Sequence, residues 1–248
     1  MKYIILILFF PFLSYAQNEL LFSEYGEGNA FNKWVEIYNP TTQNISLDNY
    51  RYNFCWNGCD SLAWEFSISF DSGYVIASGE TYLLTHFNAD SMLLVLANQT
   101  TNLMSNGNDV VGLYNSSLNE VIDIIGVFDS VSPTNGWNID TTNNATKNHT
   151  IFRKPDICFP NQGDWSASDG SNTVSEWIIS IEDDFSSANT HSSNCLTTSN
   201  VLDKSYNKKK LIKVVDLLGR EITNQKTNHH INLYIYDNGY VNKIINLN

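Results

Sequence analysis

The chain has 248 residues, with 14 Lys and Arg against 26 Asp and Glu and a formal net charge of −12. Such an acid excess works against binding a phosphate backbone, which relies on Lys and Arg displacing counterions. Once a short N-terminal apolar run is set aside, no stretch is apolar enough to cross a membrane, and about 180 residues remain for one packed core.

Met1 to Ala16 joins a lysine, an apolar run from Ile4 to Leu13 and Ser14-Tyr15-Ala16. A charged start, a short apolar core and small residues before the cut are the parts of a signal peptide, so the mature chain is expected to start near Gln17. Charge then divides the remainder. Residues 17–200 hold 5 Lys and Arg against 22 Asp and Glu, a net −17. Residues 201–248 hold 8 against 4, a net +4. The expected organisation is a signal peptide over 1–16, a β domain over 17–200, a basic linker over 201–210 and a small β module over 211–248.

Short runs rich in Tyr, Phe, Val, Ile and Trp, punctuated by Asn, Asp, Ser and Gly, predict an all-β sandwich or barrel. The predicted strands are Leu20–Tyr25, a half-buried Lys33–Tyr38, Ile45–Asn53, Trp64–Phe70, Tyr82–Thr85, Asp109–Tyr114, Val121–Val127, Thr150–Arg153 and Glu176–Ser180. Asn106-Gly107 is a turn signal. A short helix is expected over Asp90–Asn98, with Met92, Leu93, Leu96 and Ala97 on one face. At the C-terminus, Lys213–Glu221 reads as a strand with a Leu-Gly turn. Leu233–Val241 reads as a hairpin through Asp237-Asn238-Gly239, its second strand ending near Ile245.

Two resemblances follow from these motifs. The order Ser23-Glu24, Trp34-Val35-Glu36-Ile37-Tyr38 and Asn39-Pro40, followed by Ser78-Gly79-Glu80, Asn106–Tyr114, Val121-Ile122-Asp123-Ile124-Ile125-Gly126, Ile151–Pro155 and Glu176-Trp177, resembles the lamin-tail domain. That resemblance implies an immunoglobulin-like β-sandwich and a binding or display module. Asp216, Leu218, Gly219 and Arg220, followed by Tyr236, Asp237 and Gly239, resemble the C-terminal sorting domain of the type IX secretion system of Bacteroidetes. This second resemblance implies passage through the periplasm and across the outer membrane, the secretion machinery as a partner, and a secreted or cell-surface destination.

Four cysteines in an exported chain predict disulfides. Three pairings are possible; Cys55–Cys59, a local clasp around Trp56-Asn57-Gly58, with Cys158–Cys195 is the preferred set. A zinc site would need more sulfur or imidazole near Cys55.

Residues with chemistry of their own are few. No Gly-x-Ser-x-Gly elbow, His-Glu-x-x-His helix or phosphate-cradling glycine loop occurs, so no catalytic residue is assigned and no enzyme is expected. No cofactor is expected either: the acidic runs Glu24/Glu27/Glu36, Glu182-Asp183-Asp184 and Asp164–Gly170 read as solvated surface charge, with calcium as the alternative, although Asp164–Gly170 lacks the spacing of a calcium loop. Trp34, Trp64 and Trp177 sit in apolar strand patterns and are assigned to the core. Trp56, Trp137 and Trp165 sit among Asn, Gly, Asp and Ser and are the candidate contact residues for an exposed platform. The resulting expectation is a non-enzymatic adhesion or recognition module with a protein or glycan ligand. A carbohydrate-binding module is the first alternative, and a secreted hydrolase or nuclease-associated protein the second.

Overall fold

The computed structural model describes residues 19–196, 211–215, 220–221, 231–236 and 241–245. The signal-peptide segment 1–16, the basic linker 201–210 and the tail residues Asp216, Leu218, Gly219, Asp237 and Gly239 lie outside them. The chain forms two compact units that divide between residues 197 and 198.

The first unit is an all-β sandwich of the immunoglobulin type. Its strands are β1 (Leu21–Glu27), β2 (Lys33–Tyr38), β3 (Ile45–Ser46), β4 (Tyr50–Cys55), β5 (Phe66–Ser69), β6 (Val75–Ile76), β7 (Thr81–His86), β8 (Gln99–Thr101), β9 (Val110–Asn115), β10 (Glu120–Ile125), β11 (His149–Arg153) and β12 (Trp177–Ser180). One sheet runs β12-β11-β1-β2-β7-β8 and the other β10-β9-β4-β5, with β3 and β6 forming a small ribbon. Among the described strand pairs only β7–β8 is parallel. The core lies between the two sheets: Phe22, Tyr25, Val35, Ile37, Tyr82 and Ile151 on one side meet Tyr52, Phe54, Val111, Leu113 and Ile124 on the other.

Local sequence accounts for most of these elements, and the structure corrects several. The run Ile45–Asn53 is two strands, because a tight turn (Tyr50 N–H to Leu47 C=O, 2.9 Å) separates β3 from β4. The strand expected from Trp64 begins at Phe66, since the Trp64 indole leans across Gly112 of β9. The ribbon strand β6 and the parallel strand β8 carry no alternating pattern of their own. The helix is α1, Ser91–Leu96, capped by the Asp90 side chain accepting from the Met92 N–H. Its face differs from the expected one. Leu93 is buried and Leu94 packs beside it, while Met92 is 64% exposed, because six residues offer too few turns to bury a four-residue stripe.

The largest correction concerns β1 and β2. An antiparallel sheet that meets water on one face shows alternating burial, yet all seven residues of β1 are buried, and β2 is buried from Trp34 to Tyr38. The outer face has its own cover. A strap over Glu182–Cys195 crosses it with α1, forming a second apolar cluster of Trp34, Leu83, Ala89, Leu93 and Ala188, with Phe185 against it. One end of the strap is held by Asp183 Oδ1, which accepts from the Asn29 N–H (3.1 Å) and Asn32 Nδ2 (3.0 Å). The other is held by the Cys158–Cys195 disulfide and the Asn194 N–H to Pro155 C=O bond.

Three of the sequence motifs converge on one buried charge cluster. Arg153 of β11 lies 3.0 Å from Asp123 of β10 and 2.7 Å from Glu176, with its guanidinium 4.6 Å over the Trp177 ring. Asp123 also accepts from the backbone N–H of Phe22 and of Asn161, both at 2.9 Å. Both β1 and β10 carry a register irregularity, between Phe22 and Glu24 and between Val121 and Asp123, and a bulge frees a ladder N–H for such a partner. One carboxylate therefore joins the two sheets.

The second unit contains an antiparallel sheet of β13 (Leu211–Val215), β14 (Ile231–Tyr236) and β15 (Val241–Ile245). Arg220 lies beside the Val215–Glu221 bridge, and Tyr236 ends β14, where its backbone pairs with Leu211.

Candidate recognition surface

Strand registers bring five loops to one end of the sandwich. Glu27 pairs with Lys33 and His149, His86 with Thr101, Cys55 with Val110, Ile125 with Val111 and Phe54 with Phe66. The segments 28–32, 56–65, 87–90, 102–109 and 126–148 therefore all leave the sheets there.

These loops are tied to one another by polar contacts and by apolar side chains that join the core, Trp64 lying 4.6 Å from Phe128. Cys55 and Cys59 are bonded, with Cα atoms 5.1 Å apart, and Gly58 turns the clasp at φ +110, where a Cβ would strike the Ser130 carbonyl. The Cys59 N–H donates to Asp129 C=O at 2.7 Å. Asp109, 1% exposed, ties the clasp loop to its own: its carboxylate accepts from the Asn57 N–H (2.8 Å) and the Asn106 N–H (2.5 Å). Burial raises the Asp109 carboxyl above its ordinary pKa, while those backbone donors oppose the rise. Thr146 Oγ1 donates to Gly107 C=O and accepts from the Trp137 N–H.

The three candidate tryptophans separate here. Trp56 is 41% exposed; its ring lies 4.4 Å from Phe66 and its Nε1 donates to Met104 C=O. Trp137 reaches the same end but is half-buried, its Nε1 donating to Asp109 C=O at 2.7 Å and its indole against Gly126. Trp165 does not belong to the surface. It is 3% exposed, in a short 3-10 turn whose apolar side packs into the core near Trp177, so the polar residues around it in sequence cover it instead of presenting it. Trp34 and Trp177 are core residues and Trp64 packs against the core.

Sequence reasoning missed an aromatic stack on the same end. Phe31 and Phe87, each about half exposed, lie 4.6 and 5.0 Å from the ring of His86. His86 is itself buried, and burial lowers its pKa. Its Nδ1 accepts from the Asn88 N–H, so the neutral ring serves as a spacer between two exposed phenyl groups. No residue pattern announces this stack, because its members lie on segments 55 residues apart.

Other chemistry is limited by what the side chains already do. Among the described residues no histidine hydrogen-bonds a serine or threonine hydroxyl, and no three His, Cys, Asp or Glu side chains gather as metal ligands. Glu27 accepts from Lys33 Nζ (3.0 Å) and the Asn148 N–H (2.6 Å), and Asp183 is taken up by the strap contacts. Asp164 accepts from the Ser166 N–H and hydroxyl. Glu24 and Glu36 lie beneath the strap. Burial pushes Glu24 up to about 7, and burial with the neighbouring Glu24 charge holds Glu36 well above the carboxylate range. Protonatable, covered carboxyls of this kind are poor ligands for a hard cation.

Both preferred cysteine pairs are disulfides, Cys158–Cys195 having Cα atoms 5.3 Å apart, and no described helix is long and apolar enough to cross a membrane. Residues 14–129 match the family model of the lamin tail domain. No curated protein and no solved structure matches the chain. The match covers β1 to β10, while β11 and β12, which complete the larger sheet beside β1, lie beyond it. It points to no enzymatic family and is compatible with a non-enzymatic binding module.

Proposed function

We propose that this protein is a secreted or surface-displayed recognition module, without catalysis of its own, that binds a protein or glycan through the loop end centred on Trp56. The observation that carries this reading is the combination of fixed backbone and open aromatic surface. The 56–65 loop is clasped by Cys55–Cys59, bonded to Asp129 and anchored on Asp109. On it and its neighbours, Trp56, Phe31, Phe87, Leu62 and Val131 remain 41 to 75% exposed. Preorganised loops carrying aromatic anchors bind with little ordering cost.

The net −17 of residues 17–200 favours neutral or basic ligands and works against nucleic acid. Export rests on the signal-peptide pattern, the two disulfides and the resemblance of the C-terminal motifs to a type IX sorting domain. The glycan alternative uses the same surface, Trp56 supplying the flat ring.

The test is a screen of the mature chain against glycan, polysaccharide and cell-surface protein arrays, with and without calcium. Saturable binding that Trp56→Ala weakens at least tenfold while Trp165→Phe leaves it unchanged is the expected result. Binding insensitive to Trp56 and Phe87 would move the ligand site elsewhere. N-terminal sequencing of protein recovered from culture medium, expected to begin at Gln17, tests export.

A further inference from the structure

Beneath the strap, Glu24 and Glu36 face each other directly across the β1–β2 pair, 1% and 0% exposed. Side chains directly opposite on antiparallel strands stand about 5 Å apart, and like charges there repel. The surrounding donors suffice for one negative charge. Trp34 Nε1 donates to Glu24 Oε1 at 2.6 Å, Ser187 Oγ to Glu24 Oε2 at 3.0 Å and Ser23 Oγ to Glu36 Oε1 at 2.6 Å. Among the described residues no donor reaches Glu36 Oε2.

Among the described residues no cation is left to balance a second charge. The charged and titratable groups around the pair are Asp184 and His191 on the strap and Arg153 on β11. Asp184 adds repulsion to Glu24. His191, stacked 4.6 Å from Tyr38, is held near a pKa of about 4 by burial and by Arg153, and is neutral above that pH. Arg153 is already bound by Asp123 and Glu176, and Lys33 is spent on Glu27.

We infer that the strap is a pH-responsive cover: closed on β1 and β2 while the Glu24–Glu36 pair retains a proton, and lifted over its middle once both carboxyls are ionised. Two adjacent carboxylates cannot both ionise in a dry site, and water is the only remaining source of stabilisation. An entry point exists. A cavity of about 190 Å3 beside the strap is lined by Ser23, Glu24, Arg153, Ser187 and His191, with room for several waters at about 30 Å3 each.

Lifting is confined to the middle of the strap. Asp183 and the Cys158–Cys195 disulfide hold its two ends, so the motion is reversible and leaves the sandwich intact. What it uncovers is the face formed by Trp34, Tyr38 and Leu83, separate from the loop end.

The experiment follows the mature chain by NMR from pH 6 to 9.5. The Trp34 indole N–H reports ionisation of its acceptor, and amide exchange of residues 184–192, corrected for the intrinsic rate, reports closure. The expected result is a protection loss of at least tenfold across this range in the strap, larger than the loss in β4 and β9 that lower global stability brings, and no such excess in Glu36→Gln. Glu24→Gln, which keeps an oxygen for the Trp34 indole and turns its amide N–H to Ser187 Oγ, is the second variant and is expected to stay closed as well. Strap protection independent of pH in the wild type, or a loss shared equally by β4 and β9, would overturn the inference.

Discussion

The Trp34 indole lies flat over Gly26, its cross-strand partner, so closely that a Cβ on Gly26 would sit 2.3 Å from the ring. The ring has nowhere to go. Its Nε1 is held by Glu24 and its edge meets Phe185 of the strap at 5.1 Å. Gly26→Ala is therefore expected to destabilise the fold by about 1–3 kcal/mol, the usual range for overpacking a filled core. Urea unfolding measures this, and a Trp34→Leu background is expected to recover part of the loss.

Asp123 of β10 reaches across to β1 and β11 of the other sheet. Asp123→Asn would leave Arg153 with Glu176 alone and weaken two backbone contacts. Breaking a buried pair by removing one partner typically costs about 3–5 kcal/mol. A loss below about 1 kcal/mol in chemical denaturation would show that Glu176 and Trp177 suffice to hold the guanidinium.

The two disulfides differ in what they enclose. Cys158–Cys195, separated by 37 positions, restricts a long segment of the unfolded chain, and its loss as paired serines is expected to cost about 2–4 kcal/mol. Cys55–Cys59, separated by 4, restricts little. Its paired serine variant is expected to melt near the wild-type temperature yet bind more weakly, because the clasp orders Trp56. Calorimetry and the ligand screen, run on both variants, separate the effects.

Stability is expected to fall with rising pH because of Glu24. The carboxyl titrates near 7 in the folded protein against an ordinary 4.5, so the folded state holds a proton that the unfolded chain releases. That contribution is complete below about 4.5 and lost as pH rises through about 7, up to about 3 kcal/mol. Glu24→Gln removes the dependence. Denaturation midpoints at pH 5 and pH 8 that converge in the variant, relative to the wild type, are the expected outcome; equal spacing in both would assign the slope to other groups.

Much of this was legible in the chain itself. Lys33–Tyr38 is a strand over the expected residues and Asn106-Gly107 precedes β9, because such patterns depend on neighbours a few residues away; both preferred cysteine pairs also form. Motifs at Asp123, Arg153 and Glu176-Trp177 were visible as separate words, but not as one cluster. The error at Trp165 has the same origin: polar neighbours in sequence suggested exposure, whereas burial is set by the core packed against its other side.

By itself the sequence determined the all-β class, the order of most strands, the acidic body and the basic charge of the C-terminal residues, all of which follow from short-range pattern and composition, and it left three cysteine pairings open. Tertiary structure alone decided that β1 and β2 are covered on both faces, that two glutamates are buried opposite each other, and which aromatic rings reach water. Burial and charge coupling depend on what folds back from far along the chain. The residues that cover Glu24 lie more than 150 positions away, and no local pattern encodes their arrival.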